Sequence, residues 1–300
     1  MATPPKRSIL ITGCSQGGAG NALALEFAGR GMRVFATARS LGSINNLQEQ
    51  GIETLVLDVT DPESIASLKE EIRRRTDGKL DMLFNNAGTM YEAPALEANS
   101  SRVRQMFDAN VFGLFDVVAA LTPLLIAAVP NSSRAPTIIN VASILARTPF
   151  PFSSAYNASK AAVSAYSDTL RLEVSPLGIR VVTLFMGEVS TGLMSADNIN
   201  FGPNSMYAEV EVKVKERSMS HAKASIDPSV FAQQVVDSII KKDDTSYVWK
   251  GTNAYNVWLL NAIGPRKVFD SNMMSSAGLD QGDFRKNIYE RGQKLVKDLL

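Results

Sequence analysis

Strand-like and helix-like stretches alternate strictly along the first two-thirds of the chain, and few folds accept that order. Short apolar runs at Ser8–Ile11, Arg33–Thr37, Glu53–Leu57 and Asp81–Phe84 are separated by helical periods and turns, as at Asp77-Gly78. The same alternation returns at Thr137–Val141 and Ile179–Phe185, and a last run stands at Tyr247–Gly251. Strand, helix, strand in this rhythm predicts a parallel sheet with helices on both faces. Local signals agree. Asp61-Pro62-Glu63 offers a cap, a proline for the first turn and an acid at the positive end of a helix running to about Thr76.

The first strand ends in Thr12-Gly13-Cys14-Ser15-Gln16-Gly17-Gly18-Ala19-Gly20, and an alanine- and leucine-rich helical pattern follows. Strand, glycine turn and helix form the context of a dinucleotide loop. Glycines let the backbone approach a pyrophosphate, and the helix start supplies free N–H groups and a positive dipole. Gly13, Ser15, Gln16 and Gly18 are therefore candidate cofactor contacts. At the end of the second strand an acid would bind the ribose hydroxyls of NAD. Thr37, Ala38, Arg39 and Ser40 stand there instead. Thr37 and Arg39 suit a 2′-phosphate, so NADP(H) is the expected cofactor. The fold expected is α/β: a Rossmann-type doubly wound parallel sheet, a single domain with a C-terminal substrate-binding insertion.

Tyr156 and Lys160 sit four residues apart in a helical run, which places them on one face. A neighbouring ammonium favours phenolate and lowers a tyrosine pKa from its usual value of about 10. Tyr156 is thus a candidate proton carrier. Ser143 lies just past the fifth strand. Asn110 lies inside a long helical period from Ser100 to about Val129, where a buried amide needs bonded partners.

These stretches together resemble the short-chain dehydrogenases/reductases. The glycine loop, Asn85-Asn86-Ala87-Gly88 after the fourth strand, Ser143 after the fifth, Tyr156-x-x-x-Lys160 and Asn110 occur in that family's order and spacing over about Ser8 to Thr191. The resemblance implies Tyr156 as general acid/base, Lys160 as the group that lowers its pKa and holds the nicotinamide ribose, and Ser143 as the holder of the substrate carbonyl. It implies that Asn110 anchors a water in the proton relay. Asn86, Ala87 and Gly88 would line the ribose, Asp58 and Val59 the adenine, and Val189 and Thr191 the carboxamide. Two departures stand out. The glycine loop is one residue longer than usual, with Ala19 where the last glycine is expected and Gly20 one place late. Met186 replaces the usual proline after the sixth strand, which adds an N–H.

Within the family, the long loop, Phe35-Ala36-Thr37-Ala38-Arg39 and Trp249-Lys250-Gly251 resemble fungal 1-acyldihydroxyacetone-phosphate reductases and related carbonyl reductases of secondary metabolism. The expected division is residues 8–191 for cofactor binding and catalysis, 192–227 for a substrate lid, and 228–300 for the last helix, last strand and a closing tail. The implied activity is reduction of a ketone by NADPH with tyrosine as proton donor. The alternatives are an NADP-linked alcohol dehydrogenase working oxidatively, or a cofactor-bound isomerase or cyclase without net redox. The implied partners are a small-molecule carbonyl substrate and a second copy of the chain, in a homodimer or homotetramer through the Ser100–Val129 and Tyr156 helices.

Composition narrows the remainder. Of 300 residues, 45% are hydrophobic and 20% charged, enough for a large core. A net charge of +1 argues against nucleic acid as a partner. One cysteine, Cys14, rules out a disulfide framework, and one histidine, His221, leaves no metal-ligand set. His221 lies in a polar stretch and is expected to be a solvated surface residue. The start, Met1 to Ser8, is too short and polar for a signal-peptide core, and no run reaches the ~18 apolar residues of a membrane span. Val257–Ile263 is expected in the core or along a pocket. A cytoplasmic location is expected, with peripheral membrane association left open.

Overall fold

The computed structural model describes residues 6–241 and 244–299; expectations about residues 1–5 lie outside the described residues. In chain order the elements are β1 (Ser8–Ile11), α1 (Ala19–Gly29), β2 (Arg33–Ala38), α2 (Asn45–Glu49), β3 (Glu53–Val56), α3 (Pro62–Arg75), β4 (Met82–Asn85), α4 (Ser100–Phe107), α5 (Gly113–Ala128), β5 (Thr137–Ser143), α6 (Ser154–Val174), β6 (Arg180–Met186), α7 (Glu211–Ala224), α8 (Pro228–Lys241), β7 (Tyr247–Lys250), α9 (Ala254–Ile263), α10 (Asp270–Ser276) and α11 (Gly282–Leu299).

The strands form one parallel sheet in the order β3-β2-β1-β4-β5-β6-β7. β1, β4 and β5 are buried along their whole length, as strands covered on both faces must be. One core packs Ile9, Ile11, Phe84 and Val182 against α1 and α8, through Leu23, Phe27, Phe231 and Val235. The other packs Leu10, Leu83, Ile138 and Val181 against α3, α5 and α6, through Ile72, Leu121 and Leu170. Strand order reverses between β1 and β4, and in such sheets ligands bind in the crevice beyond the strand ends at that reversal.

The expected long helix is interrupted. A π-helical turn, Asp108–Phe112, separates α4 from α5 and carries Asn110. The whole helical run Ser100–Asn131 is long and apolar enough to cross a membrane by length and composition, contrary to the sequence expectation. Its apolarity has a local cause, because Leu114, Val117, Leu121 and Leu125 of α5 pack into the core beneath the sheet. The tail also differs from expectation. In α9 only Ala254 and Val257 are buried, while Ile263 is 75% exposed. A further helix, α11, follows where only a closing tail was expected.

Candidate active site

The crevice beyond the strand ends is a cleft of about 830 Å³. At one end it meets the loop between β1 and α1. Gly13 has φ +72, and a Cβ there would stand 2.7 Å from Ala87 Cα, so only glycine fits. Gly17, the inserted position, has φ +78 with open space around it, so the extra residue bulges toward solvent. Gly20 carries the close packing instead: a Cβ would come within 2.4 Å of Asn86 Nδ2 and of Gly13 O. Gly18 caps α1 with no side chain bonded to the first turn, which leaves backbone N–H groups free for an anion. Ser15, Gln16 and Gly18 line this end, and Arg39, Asp58 and Val59 line its outer wall. Arg39 is close enough to Asp58 to help hold that carboxylate low, after the larger effect of the Thr60 N–H. The residues present thus fit an anionic dinucleotide.

Thr37 does not reach the cleft. It is fully buried, its hydroxyl donates to Ile11 O at 3.1 Å and its carbonyl accepts from Cys14 N at 2.8 Å. It braces the loop, and among the polar candidates at that strand end only Arg39 is placed for a phosphate. Cys14 lies under the same loop, where burial pushes its thiol up to about 12. Asn86 also braces: Nδ2 donates to Thr12 O and Gly13 O, both at 2.9 Å, while Ala87 and Gly88 line the cleft with it. Thr12 was not singled out in the sequence, yet its hydroxyl accepts from Asn86 N at 3.0 Å and Ala87 N at 2.9 Å.

At the cleft floor, Ser143 is the last residue of β5, and its Oγ accepts from Leu145 N at 3.1 Å. The same Oγ donates to Met186 O at 3.4 Å, and the Ser143 hydroxyl is near enough to the Tyr156 phenol to draw its pKa down. Tyr156 and Lys160 are 6% and 5% exposed. Lys160 Nζ donates to Val141 O at 2.8 Å and lies 5.9 Å from the Tyr156 ring centroid. The expected acidification of the phenol by Lys160 is therefore not what this state shows. Burial pushes Tyr156 up to about 12, with the Ser143 hydroxyl working the other way. Burial also brings Lys160 down to about 8. Both groups have lost hydration, and the amine is bonded to a carbonyl rather than to the phenol.

Asn110 sits behind this floor, not on it. Oδ1 accepts from Thr89 N at 2.8 Å, and Nδ2 donates to Thr89 O at 2.9 Å and to Ser159 Oγ at 3.1 Å. Both amide hydrogens are committed, so the side chain ties the β4 loop to α6. A second buried polar chain escaped the sequence reading. Asn85 Nδ2 donates to Asn140 Oδ1 at 2.9 Å, and Asn140 Nδ2 to Ser167 Oγ at 3.0 Å. Asn140, polar within an apolar strand, was the available signal.

Met186, in place of proline, extends β6 by pairing with Ser143 on one side and Lys250 on the other. Val189 and Thr191 follow along the cleft, with Thr191 N donating to Val189 O at 2.7 Å. His221 lines the cleft too, with its Nδ1 2.9 Å from Glu188 Oε1. The surface placement expected from its polar neighbours is corrected by α7 folding over the cleft. Among the described residues no group of three His, Cys, Asp or Glu side chains could hold a metal.

The family model for short chain dehydrogenases matches residues 7–200. The chain belongs to the short-chain dehydrogenases. This short-chain dehydrogenase is 36% identical over 271 residues to the short-chain dehydrogenase srdE of Neurospora crassa, covering 90% of this chain and 91% of that one. It is 44% identical over 190 residues to an NADPH-dependent 1-acyldihydroxyacetone phosphate reductase of Schizosaccharomyces pombe, covering 63% of this chain and 62% of that one. Among solved structures, a short-chain dehydrogenase from Streptomyces avermitilis superposes with a TM-score of 0.74 at 25% identity, covering 93% of this chain and all of the other.

Proposed function

We propose that this short-chain dehydrogenase is an NADP(H)-dependent reductase of a ketone. The observation that carries the reading is that the buried Tyr156 and Ser143 hydroxyls stand together in the cleft, close enough for Ser143 to draw the phenol pKa down. The cleft residues would hold a reduced nicotinamide, which when bound would supply the hydride. Ser143 Oγ holds the carbonyl oxygen, and the Tyr156 phenol delivers a proton to it as negative charge develops there. A phenol held up to about 12 enters protonated at neutral pH, as a proton donor must. The phenolate left behind has the Ser143 hydroxyl beside it, and Lys160, one turn along α6, is the nearby cation.

Arg39 at the end of β2, with no carboxylate on that strand end, supports NADP(H) over NAD(H). The name of the Schizosaccharomyces pombe relative points the same way. The carboxamide end is assigned to Val189 and Thr191, and the adenine to Asp58 and Val59. Phe112 on the π-helical turn before α5, Ile126 on α5 and Leu172 on α6 remain exposed, which supports a homo-oligomer.

The test combines cofactor binding with turnover. The wild-type protein is expected to bind NADPH more tightly than NADH and to oxidise it in the presence of a ketone panel. Tyr156→Phe keeps the ring and removes the acid, and should lower kcat/KM by at least about a hundredfold with NADPH affinity retained. Undiminished reduction by that variant overturns the assignment of the proton donor.

A further inference from the structure

The cleft has a second polar end that proton transfer at Tyr156 does not use. His221 lines the same cleft as Ser143 and Tyr156, together with the apolar side chains of Ile144, Leu145, Met186 and Leu193. The His221 side chain is 25% exposed, and its ring meets Phe150 edge to face at 5.9 Å between centroids. Its Nδ1 is buried 2.9 Å from Glu188 Oε1, off the line of a good hydrogen bond, so a carboxylate charge rather than an aligned acceptor faces it.

The group behind the imidazole is fixed independently of any ligand. Asn253 Nδ2 donates to Glu188 Oε1 at 3.0 Å, and the Glu188 backbone exchanges hydrogen bonds of 3.1 and 3.0 Å with Thr252. One turn before His221 on α7, the Arg217 guanidinium covers the other part of Phe150 at 3.9 Å. Arg217 Nη2 donates to Glu92 Oε1 and to Pro151 O, each at 3.2 Å. Phe150 is thus clamped between two residues of the lid helix, and the lid helix is clamped to the core.

A carboxylate behind one ring nitrogen places the proton on that nitrogen and leaves the other, Nε2, as an acceptor. A substrate hydroxyl can donate to it. A substrate carboxylate or phosphate in the same place would face the Glu188 charge across a cleft wall of low polarity. We infer that His221, backed by Glu188, is a second substrate subsite that selects a ketone bearing an uncharged hydroxyl on the far side of its skeleton. The inference rests on the ketone-reductase reading above.

The experiment measures binding without turnover. The NADP⁺-loaded protein is titrated calorimetrically with 2-tetralone, with its derivatives bearing a hydroxyl at each aromatic position in turn, and with a carboxylate in the same positions. At least one hydroxy derivative should bind about tenfold more tightly than 2-tetralone, and no carboxylate should. His221→Phe keeps a ring against Phe150, and there the hydroxy-to-plain ratio should fall to about one. The wild-type comparison stands even if that variant does not fold. Equal retention of all probes, including none, overturns the subsite, as does preference for a carboxylate. Failure to bind NADP⁺ takes down both readings. A loaded protein that ignores the hydroxyl takes down only this one.

Discussion

Lys160 is held where an ammonium is poorly solvated, and that placement has a measurable cost. Burial lowers its pKa from 10.5 to about 8. At ~1.4 kcal/mol per unit, the buried charge costs about 3 kcal/mol below pH 8. Between pH 8 and 10.5 the folded chain releases this proton while the unfolded chain keeps it. The unfolded state then binds more protons, so the wild-type protein gains stability as pH rises through that window. Lys160→Met removes the charge, though it leaves Val141 O without its donor, which costs ~1 kcal/mol. The variant should therefore be about 2 kcal/mol more stable than wild type at pH 7 and lack turnover. Chemical denaturation from pH 7 to 10 should show that gap closing. A gap independent of pH would mean that the amine is solvated after all. Tyr156 acts in the opposite direction but only above pH 10, because its pKa is raised rather than lowered.

At the scale of elements, what the sequence disclosed depended on periodicity. Strands buried on both faces announce themselves as apolar runs, and all seven were legible to within two residues at either end. Helices with one apolar stripe were legible for the same reason, as α3 and α8 show. The π-helical turn at Asp108–Phe112 was not, because one extra residue in a helix leaves no mark on an apolar period. Its cause is tertiary: Asn110 is bonded to Thr89 and Ser159. Helix α7 was hard to read because its inward residues include an arginine. Arg217 and Glu92 form a buried pair, with side chains 4% and 6% exposed. Charge in sequence reads as surface, and a partner 125 positions away is invisible there. Arg217→Met should cost about 3–5 kcal/mol by stranding the Glu92 carboxylate, whose pKa burial already raises. Adding Glu92→Gln should recover most of that loss in a double-mutant cycle. A single variant within about 1 kcal/mol of wild type would show that the lid is not latched here.

Across the whole molecule, a close contact of two glycines helps bring the late part of the chain to the site, and no spacing in the sequence pairs them because they lie far apart along the chain. After β6 the backbone of Gly187 passes against Gly251, just after β7. A Cβ on Gly187 would stand 2.3 Å from Thr252 O and 2.9 Å from Gly251 C, all backbone atoms that cannot swing aside. Gly251 itself has φ +103, a conformation open to glycine alone. This contact sets Glu188 and Val189 on one side and Thr252 and Asn253 on the other, so the tail positions the Val189 stretch of the cleft wall and the carboxylate behind His221. Gly187→Ala must therefore push the two segments apart. It should destabilise the protein by about 1–3 kcal/mol and lower turnover even at temperatures where it is fully folded. Gly29→Ala is the matched control, since a Cβ there meets nothing within 4 Å, and it should be neutral or slightly stabilising. Thermal unfolding with NADPH turnover measured well below the transition separates the two effects. If Gly187→Ala lost stability but kept full turnover, the tail would be a structural strap with no hold on the site.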